Sequence, residues 1–430
     1  MRKILPVVLG LLSAAAHADA CLVGSYRLAD SRVIDLAASS GDSLRWRLED
    51  GASGKLTRAP DGDWTSMLGW TDRADSRRFS AGPCGSNEIS FDGTKGERVG
   101  LLTTETKFRS GDAELVGRLI LPPGDERVAV VVLVHGSENS SARETYALQR
   151  QLPAAGIGAF VYDKRGTGGS GGTYTHDYPA LARDVVAAVE EARRLAGRRA
   201  SRVGLQGSSQ GGWVAPLAAT MTPVDFVVVA YGLAVSPIQE DREAVAWDMA
   251  RAGFGDEETR KALEAASAVQ VIIESNFTKG YEALEAVRAR YATEPWFRYL
   301  RGNVTGLLLA HPESFWRENG PVLLAGVLPH YDPMPVLREL RTPQLWILGS
   351  DDIDAPPQET WRRLLKLKHE GKPLTLTMLR GAEHGLFLHE LNSKGEREST
   401  RLAPAYFPLM RDFMLEGKIG PNYPDAVVVR

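Results

Sequence analysis

Gly207-Ser208-Ser209-Gln210-Gly211 is the segment of this chain best suited to covalent chemistry. It follows a short apolar run, Arg202-Val203-Gly204-Leu205, and precedes a stretch of helical character from Gly212 to Ala219. A strand, a very tight turn and a helix would then carry a serine at the tip. A serine hydroxyl is a weak nucleophile in water. It becomes useful when the backbone thrusts it outward, beside a base and at the positive end of a helix. Gly207 and Gly211, two residues before and two after Ser209, fit a turn with no room for side chains. Ser209 is thus the candidate nucleophile, and Ser208 merely precedes it. A G-x-S-x-G string is weak alone, because a chain with 43 glycines makes such strings by chance. What gives it meaning is an acid and a base downstream.

The acid is expected at the end of a later strand. Gln344 to Leu348 reads as such a strand and runs into Gly349-Ser350-Asp351-Asp352-Ile353-Asp354-Ala355-Pro356. Three aspartates compete, and only one carboxylate can be aimed at a histidine. The base is expected last. Gly381-Ala382-Glu383-His384-Gly385 follows the final strand candidate, which makes His384 the base. An acyl-transfer site also needs two backbone N–H donors for the charge that develops on the carbonyl oxygen. One is the amide of Gln210, at the start of a helix where the dipole helps. The other is the amide of Ser137, in the His135-Gly136-Ser137-Glu138 loop, where Gly136 allows close approach and His135 reads as structural.

The elements that must position these groups are legible from periodicity. Val128 to Val134 is a continuous β-branched run, as in a strand buried on both faces. Leu115–Leu121, Gly158–Tyr162, Phe226–Ala230 and Leu374–Met378 are further strand candidates, and Asp177 to Leu195 has the apolar stripe of a helix. Strand–helix alternation predicts a mainly parallel sheet with helices on both faces. From about 232 to 335 the alternation stops, and Ala, Glu, Arg and scattered aromatics predict a helical cap inserted over the site. Residues 21–105 read differently, with short alternating runs at Leu44–Glu49 and Ile89–Asp92 between Asp-Gly turns. These predict a small all-β domain, with Trp46, Trp64 and Trp70 more consistent with core than with a binding face.

The nucleophile turn, the His135-Gly136 loop, the Asp163-Lys164-Arg165-Gly166 string and the acid and histidine loops together resemble the α/β-hydrolase family, from about Lys107 to the C-terminus. The resemblance extends to secreted esterases and to relatives of serine aminopeptidases and prolyl oligopeptidases. It implies an α/β-hydrolase fold for 106–430 and a structural role for Asp163-Lys164-Arg165-Gly166. It also implies that the acid stands three residues after a strand-ending glycine with proline soon after. Gly349, Asp352 and Pro356 match that layout, so Asp352 leads, with Asp354 next and Asp351 third. Glu138-Asn139-Ser140-Ser141 departs from the Gly-Pro sequence of many relatives and makes the rim of the site polar.

Bulk properties narrow the rest. The chain has 430 residues, 51 basic against 54 acidic and a net charge of −3, which gives no sign of nucleic-acid binding or a polybasic membrane surface. Met1-Arg2-Lys3, the apolar run Ile4–Leu12 and the small residues up to Ala20 have the layout of an export signal over 1–20, too short for a lasting membrane anchor. Export points to the periplasm or the medium. The alternative at Cys21, a lipidated N-terminus, has a poor context in Ala18-Asp19-Ala20. Cys21 and Cys84 are the two cysteines, and in an oxidising compartment they are expected to form a disulfide rather than two free thiols.

The expected function is hydrolysis of a small-molecule carboxylic ester, with no metal or organic cofactor. The alternatives are a peptidase that holds a free N-terminus with Glu138 and Glu240, and a non-catalytic envelope-binding protein. The sequence carries no sign of oligomeric state.

Overall fold

The computed structural model describes residues 20–59 and 62–430. The expected export signal, apart from Ala20, lies outside the described residues, as does Asp61 of one Asp-Gly turn.

The chain builds two large sheets. The first, from Gly24–Leu28 to Thr94–Arg98, has eight strands, and each of its paired neighbours is antiparallel. Its inward residues, among them Tyr26, Leu36, Trp46 and Phe91, form their own core. The sheet curls until Trp64 on one end strand packs edge-on against Phe79 on the other, ring centroids 5.6 Å apart. Cys21 and Cys84 are joined by a disulfide. Trp46 is core, as expected. Trp70 instead lies outside that core, against Phe387 of the C-terminal region.

The second sheet has nine strands. Its centre is six parallel strands in the order Leu374–Leu379, Gln344–Gly349, Val227–Ala230, Ala200–Ser208, Val128–Val134 and Gly158–Tyr162. Antiparallel strands flank this centre: Ala426–Val429 on one side, Ala113–Leu121 and Leu102–Ser110 on the other. Side chains alternate across it, as pleating requires. Val130, Val132 and Val134 pack on the helices Tyr178–Ala196 and Gly211–Met221. Val131 and Leu133 pack on Leu148–Ala154 and Tyr406–Glu416. This is the α/β-hydrolase fold, with helices on both faces.

One expected boundary moves. Leu102–Ser110 pairs with Ala113–Leu121 along its whole length, so the change of sheet comes just after Arg98 and not at 105/106. Leu102–Ser110 is mostly exposed and rich in Thr, so it lacks the apolar signal of its neighbours.

Between Val227–Ala230 and Gln344–Gly349 there are helices and no strand among the described residues. The longest are Pro237–Arg251 and Asp256–Glu274, and they share a core with Phe277, Trp296 and Trp316. Most of the insertion's aromatics therefore pack on one another. No helix of the described residues is long and apolar enough to cross a membrane.

Candidate active site

Strand register brings the parts together. Val134 lies opposite Gly207, Ser208 opposite Ala230 and Gly349 opposite Leu379. The loops that leave these strands at their carboxyl ends therefore start side by side, in the crevice where open α/β sheets bind ligands.

Ser209 has φ +51°, a left-handed conformation that costs a residue with a side chain about 1–3 kcal/mol and that recurs at functional turns. The turn is tight enough that a Cβ on Gly207 would run into the carbonyl oxygen of Gly211. One on Gly211 would run into that of Val134. Ser209 Oγ is 3.0 Å from His384 Nε2, and His384 Nδ1 is 2.9 Å from Asp352 Oδ2. Among the three candidate acids, Asp352 is the buried one, at 1% exposure, whereas Asp354 is exposed. Its second oxygen accepts from the amides of Asp354 and Ala355 at 3.1 and 2.8 Å, which fixes the carboxylate toward the ring.

Burial pulls the pKa of His384 down. The charge of Asp352 and its hydrogen bond, with Asp354 and Glu240 adding, outweigh burial and raise it to about 9. The Tyr231 and His384 rings meet in a T-shaped arrangement, with centroids 5.0 Å apart.

The directions of the two expected donor amides follow from the bonds of the carbonyls they share a peptide with. Gly212 N–H donates to the Ser209 carbonyl at 2.7 Å, so the N–H of Gln210, in the same trans peptide, points the opposite way, out of the helix. The Gly136 carbonyl accepts from Lys164 Nζ at 2.7 Å, which in the same manner aims the Ser137 N–H away from Lys164. Tyr174 Oη donates to the Ser137 carbonyl. Gly136 passes so close that a Cβ there would lie 3.3 Å from Ser209 Cβ. Burial brings Lys164 down to about 8. Burial, then the Lys164 charge, brings His135 down to about 4, and its neutral ring donates from Nε2 to the Tyr162 carbonyl. Asp163 accepts from Ser141 Oγ at 2.7 Å and from Gly169 N–H at 2.9 Å. Asp163-Lys164-Arg165-Gly166 thus holds the loop that carries Ser137.

Sequence reasoning missed His176. Its Nδ1 accepts from the side-chain amide of Gln210 at 2.6 Å, and its Nε2 donates to the Leu323 carbonyl at 3.1 Å. Burial, then Lys164, holds the ring neutral, with a pKa of about 4. One imidazole therefore links the nucleophile turn to the helical insertion. A histidine away from any strand end gives no local signal of this.

The insertion also contributes Glu240, buried on its first helix, with Oε1 accepting from Asn303 Nδ2 at 2.9 Å. Burial raises its carboxyl well above the usual range, and the charges that act on it include His384 and Asp352. Glu138, the other acidic residue singled out, accepts from Tyr146 Oη, which in turn accepts from the Gly136 amide at 3.3 Å. No group of three or more His, Cys, Asp or Glu among the described residues is arranged to hold a metal ion.

Residues 125–254 match the family model of serine aminopeptidases of the S33 group. No curated protein matches the chain. Among solved structures, it is similar to an esterase of Pyrococcus furiosus (18% identity, 66% of this chain and 84% of that one, TM-score 0.42). It is similar too to an acylaminoacyl peptidase of Pyrococcus horikoshii (16% identity, 90% of this chain and 57% of that one, TM-score 0.45). A proline iminopeptidase of Mycobacterium smegmatis is a third (19% identity, 65% and 91%, TM-score 0.41).

Proposed function

We propose that this serine hydrolase of the α/β-hydrolase class cleaves carboxylic esters of small molecules through a covalent acyl-enzyme. Ser209 Oγ attacks the carbonyl carbon while His384 Nε2 takes its proton. Asp352 keeps the ring in the tautomer that presents Nε2 and stabilises the imidazolium. The amides of Gln210 and Ser137 donate to the oxyanion. The tetrahedral adduct collapses as His384 returns the proton to the leaving alkoxide, and water then repeats the sequence on the acyl-serine.

The observation that carries this reading is the hydrogen-bonded chain from Ser209 through His384 to Asp352, at 3.0 and 2.9 Å, with the serine on a left-handed turn. Ester leads because a triad and an oxyanion hole suffice for an alkoxide leaving group. The disulfide supports an exported protein.

Glu240 favours a second reading, a peptidase acting near a free N-terminus. A buried carboxyl on the insertion that interacts electrostatically with the base, together with Glu138 on the Gly136 loop, is a setting in which a substrate ammonium would find a counter-charge.

Labelling with a fluorophosphonate, abolished in Ser209→Ala, is expected under either reading. A folded protein that resists the probe overturns both and leaves a binding protein. p-Nitrophenyl esters of graded acyl length, set against aminoacyl amides, then choose between them, and faster amide turnover reverses the order.

A further inference from the structure

His384 lies in a short turn, and three residues after it the chain enters the strand Phe387–Leu391, which pairs with Arg397–Leu402. This hairpin joins neither large sheet and forms a sheet of its own. An isolated two-stranded hairpin is marginally stable in water, so something must hold it.

Two sets of contacts do. Toward the site, Arg397 is only 10% exposed, and its Nη1 donates to Glu383 Oε1 at 3.0 Å and to the Asp351 carbonyl at 3.1 Å. Glu383 is the residue before the base, and Asp351 the residue before the acid. One guanidinium therefore ties the two loops whose spacing sets the His384–Asp352 bond. On its other side the hairpin docks on the N-terminal sheet. Trp70 N–H donates to the Ser399 carbonyl at 2.8 Å, and Leu402 N–H donates to the Gly51 carbonyl at 2.9 Å. The Trp70 ring meets Phe387 at 4.5 Å, and the guanidinium of Arg45 lies over it, also at 4.5 Å. Gly69, at φ +51°, lets the backbones approach so closely that a Cβ there would strike Thr400.

We propose that the N-terminal sheet is a brace for the acid and base loops, acting through the hairpin, with Arg397 and Trp70 as its positioning residues. The inference rests on the reading of Ser209, His384 and Asp352 given above. It assigns the sheet a role in turnover that does not require the sheet to touch substrate. Loosening the brace lets the imidazole leave Asp352 part of the time. Besides Ser209 at Nε2, the groups that act on His384 are Asp352, Asp354, Glu240 and the Tyr231 ring, and of these Asp352 bonds to it.

The test uses the full chain, with wild type, Trp70→Ala, Trp70→Phe and Arg397→Gln compared on one p-nitrophenyl ester from pH 6 to 10. Circular dichroism and thermal melts establish that each is folded. In Trp70→Ala and Arg397→Gln, kcat falls on the order of 10- to 100-fold while KM stays within about twofold. The acid limb of kcat/KM moves to lower pH in both, and Trp70→Phe restores rate and limb together. If Trp70→Ala does not fold, Arg397→Gln decides. Folded variants with wild-type kcat and an unmoved limb overturn the brace while leaving the triad reading intact. A wild type that neither labels nor turns over overturns the triad reading, and the brace falls with it.

Discussion

Val134 stands opposite Gly207 in the parallel sheet, and the carbonyl of that same Val134 occupies the space where a side chain on Gly211 would lie. The loop that presents Ser137 and the turn that presents Ser209 are thus spaced by backbone against backbone. Gly211→Ala is expected to lower stability by about 1–3 kcal/mol, the usual range for overpacking, and to cut ester turnover. Urea unfolding and steady-state kinetics check this. An unchanged midpoint with full activity would mean the turn has slack.

Replacing Asp352 by Asn is expected to cost on the order of 10³- to 10⁴-fold in kcat. Oδ1 accepts from the amides of Asp354 and Ala355, so the asparagine would keep its oxygen there and turn its NH₂ toward His384 Nδ1. The ring must then accept at Nδ1 and carry its proton at Nε2, the wrong tautomer for a base. Asp354 is exposed, and Asp354→Asn is expected to stay within about threefold. The opposite ranking would reassign the acid.

Activity and stability are expected to respond to pH in opposite directions. His384 acts as a base only when neutral, and its pKa is held at about 9, so kcat/KM should climb with pH and level off only above that value. The same proton stabilises the fold. The folded pKa lies above the unfolded value of about 6.5, so this contribution is complete below pH 6.5 and is lost as pH rises through 9. A pH profile of kcat/KM beside urea midpoints measures both, and an activity limb at or below the unperturbed value of about 6.5 would show that Asp352 does not raise the His384 pKa in the free enzyme.

Glu240→Gln is expected to fold normally, because a glutamine oxygen can still accept from Asn303 and burial already favours a neutral side chain. Ester turnover should change by less than about threefold. If aminoacyl amides are the true substrates, their kcat/KM falls by about tenfold or more, as expected for loss of a counter-charge. Equal small effects on both substrates would remove the support for the peptidase reading.

The Cys21–Cys84 bond closes a separation of 63 residues, and Cys84→Ser is expected to lower stability by about 2–4 kcal/mol. Denaturant unfolding with and without reductant checks this. A reductant-insensitive wild-type midpoint would show that the bond carries little of the fold's stability.

Much of this arrangement was legible in the sequence because strand-end loops carry strong local signals. A β-branched run such as Val128–Val134 announces a buried strand, and glycines around a serine announce a tight turn. Sequence alone leaves Asp351, Asp352 and Asp354 in competition, because the outcome depends on which carboxylate the loop backbone turns inward. Arg397 was not legible. Its partners, Glu383 and the Asp351 carbonyl, lie on two other loops, 14 and 46 positions back, and an arginine on a polar hairpin looks like any solvated charge. His176 escaped for the same reason, and Leu102–Ser110 because an exposed Thr-rich strand lacks apolar alternation.

The hydrogen bond from Arg401 to the Asp50 carbonyl spans 351 positions of sequence. The serine, its base and the sheet that grips the base's hairpin are supplied by the middle, the end and the beginning of the chain. Contacts of such separation form late, after loop closure has been met. A nascent polypeptide that already exposes Ser209 still lacks His384, so on the proposed mechanism hydrolytic competence waits until the hairpin has been made and has docked on the N-terminal sheet.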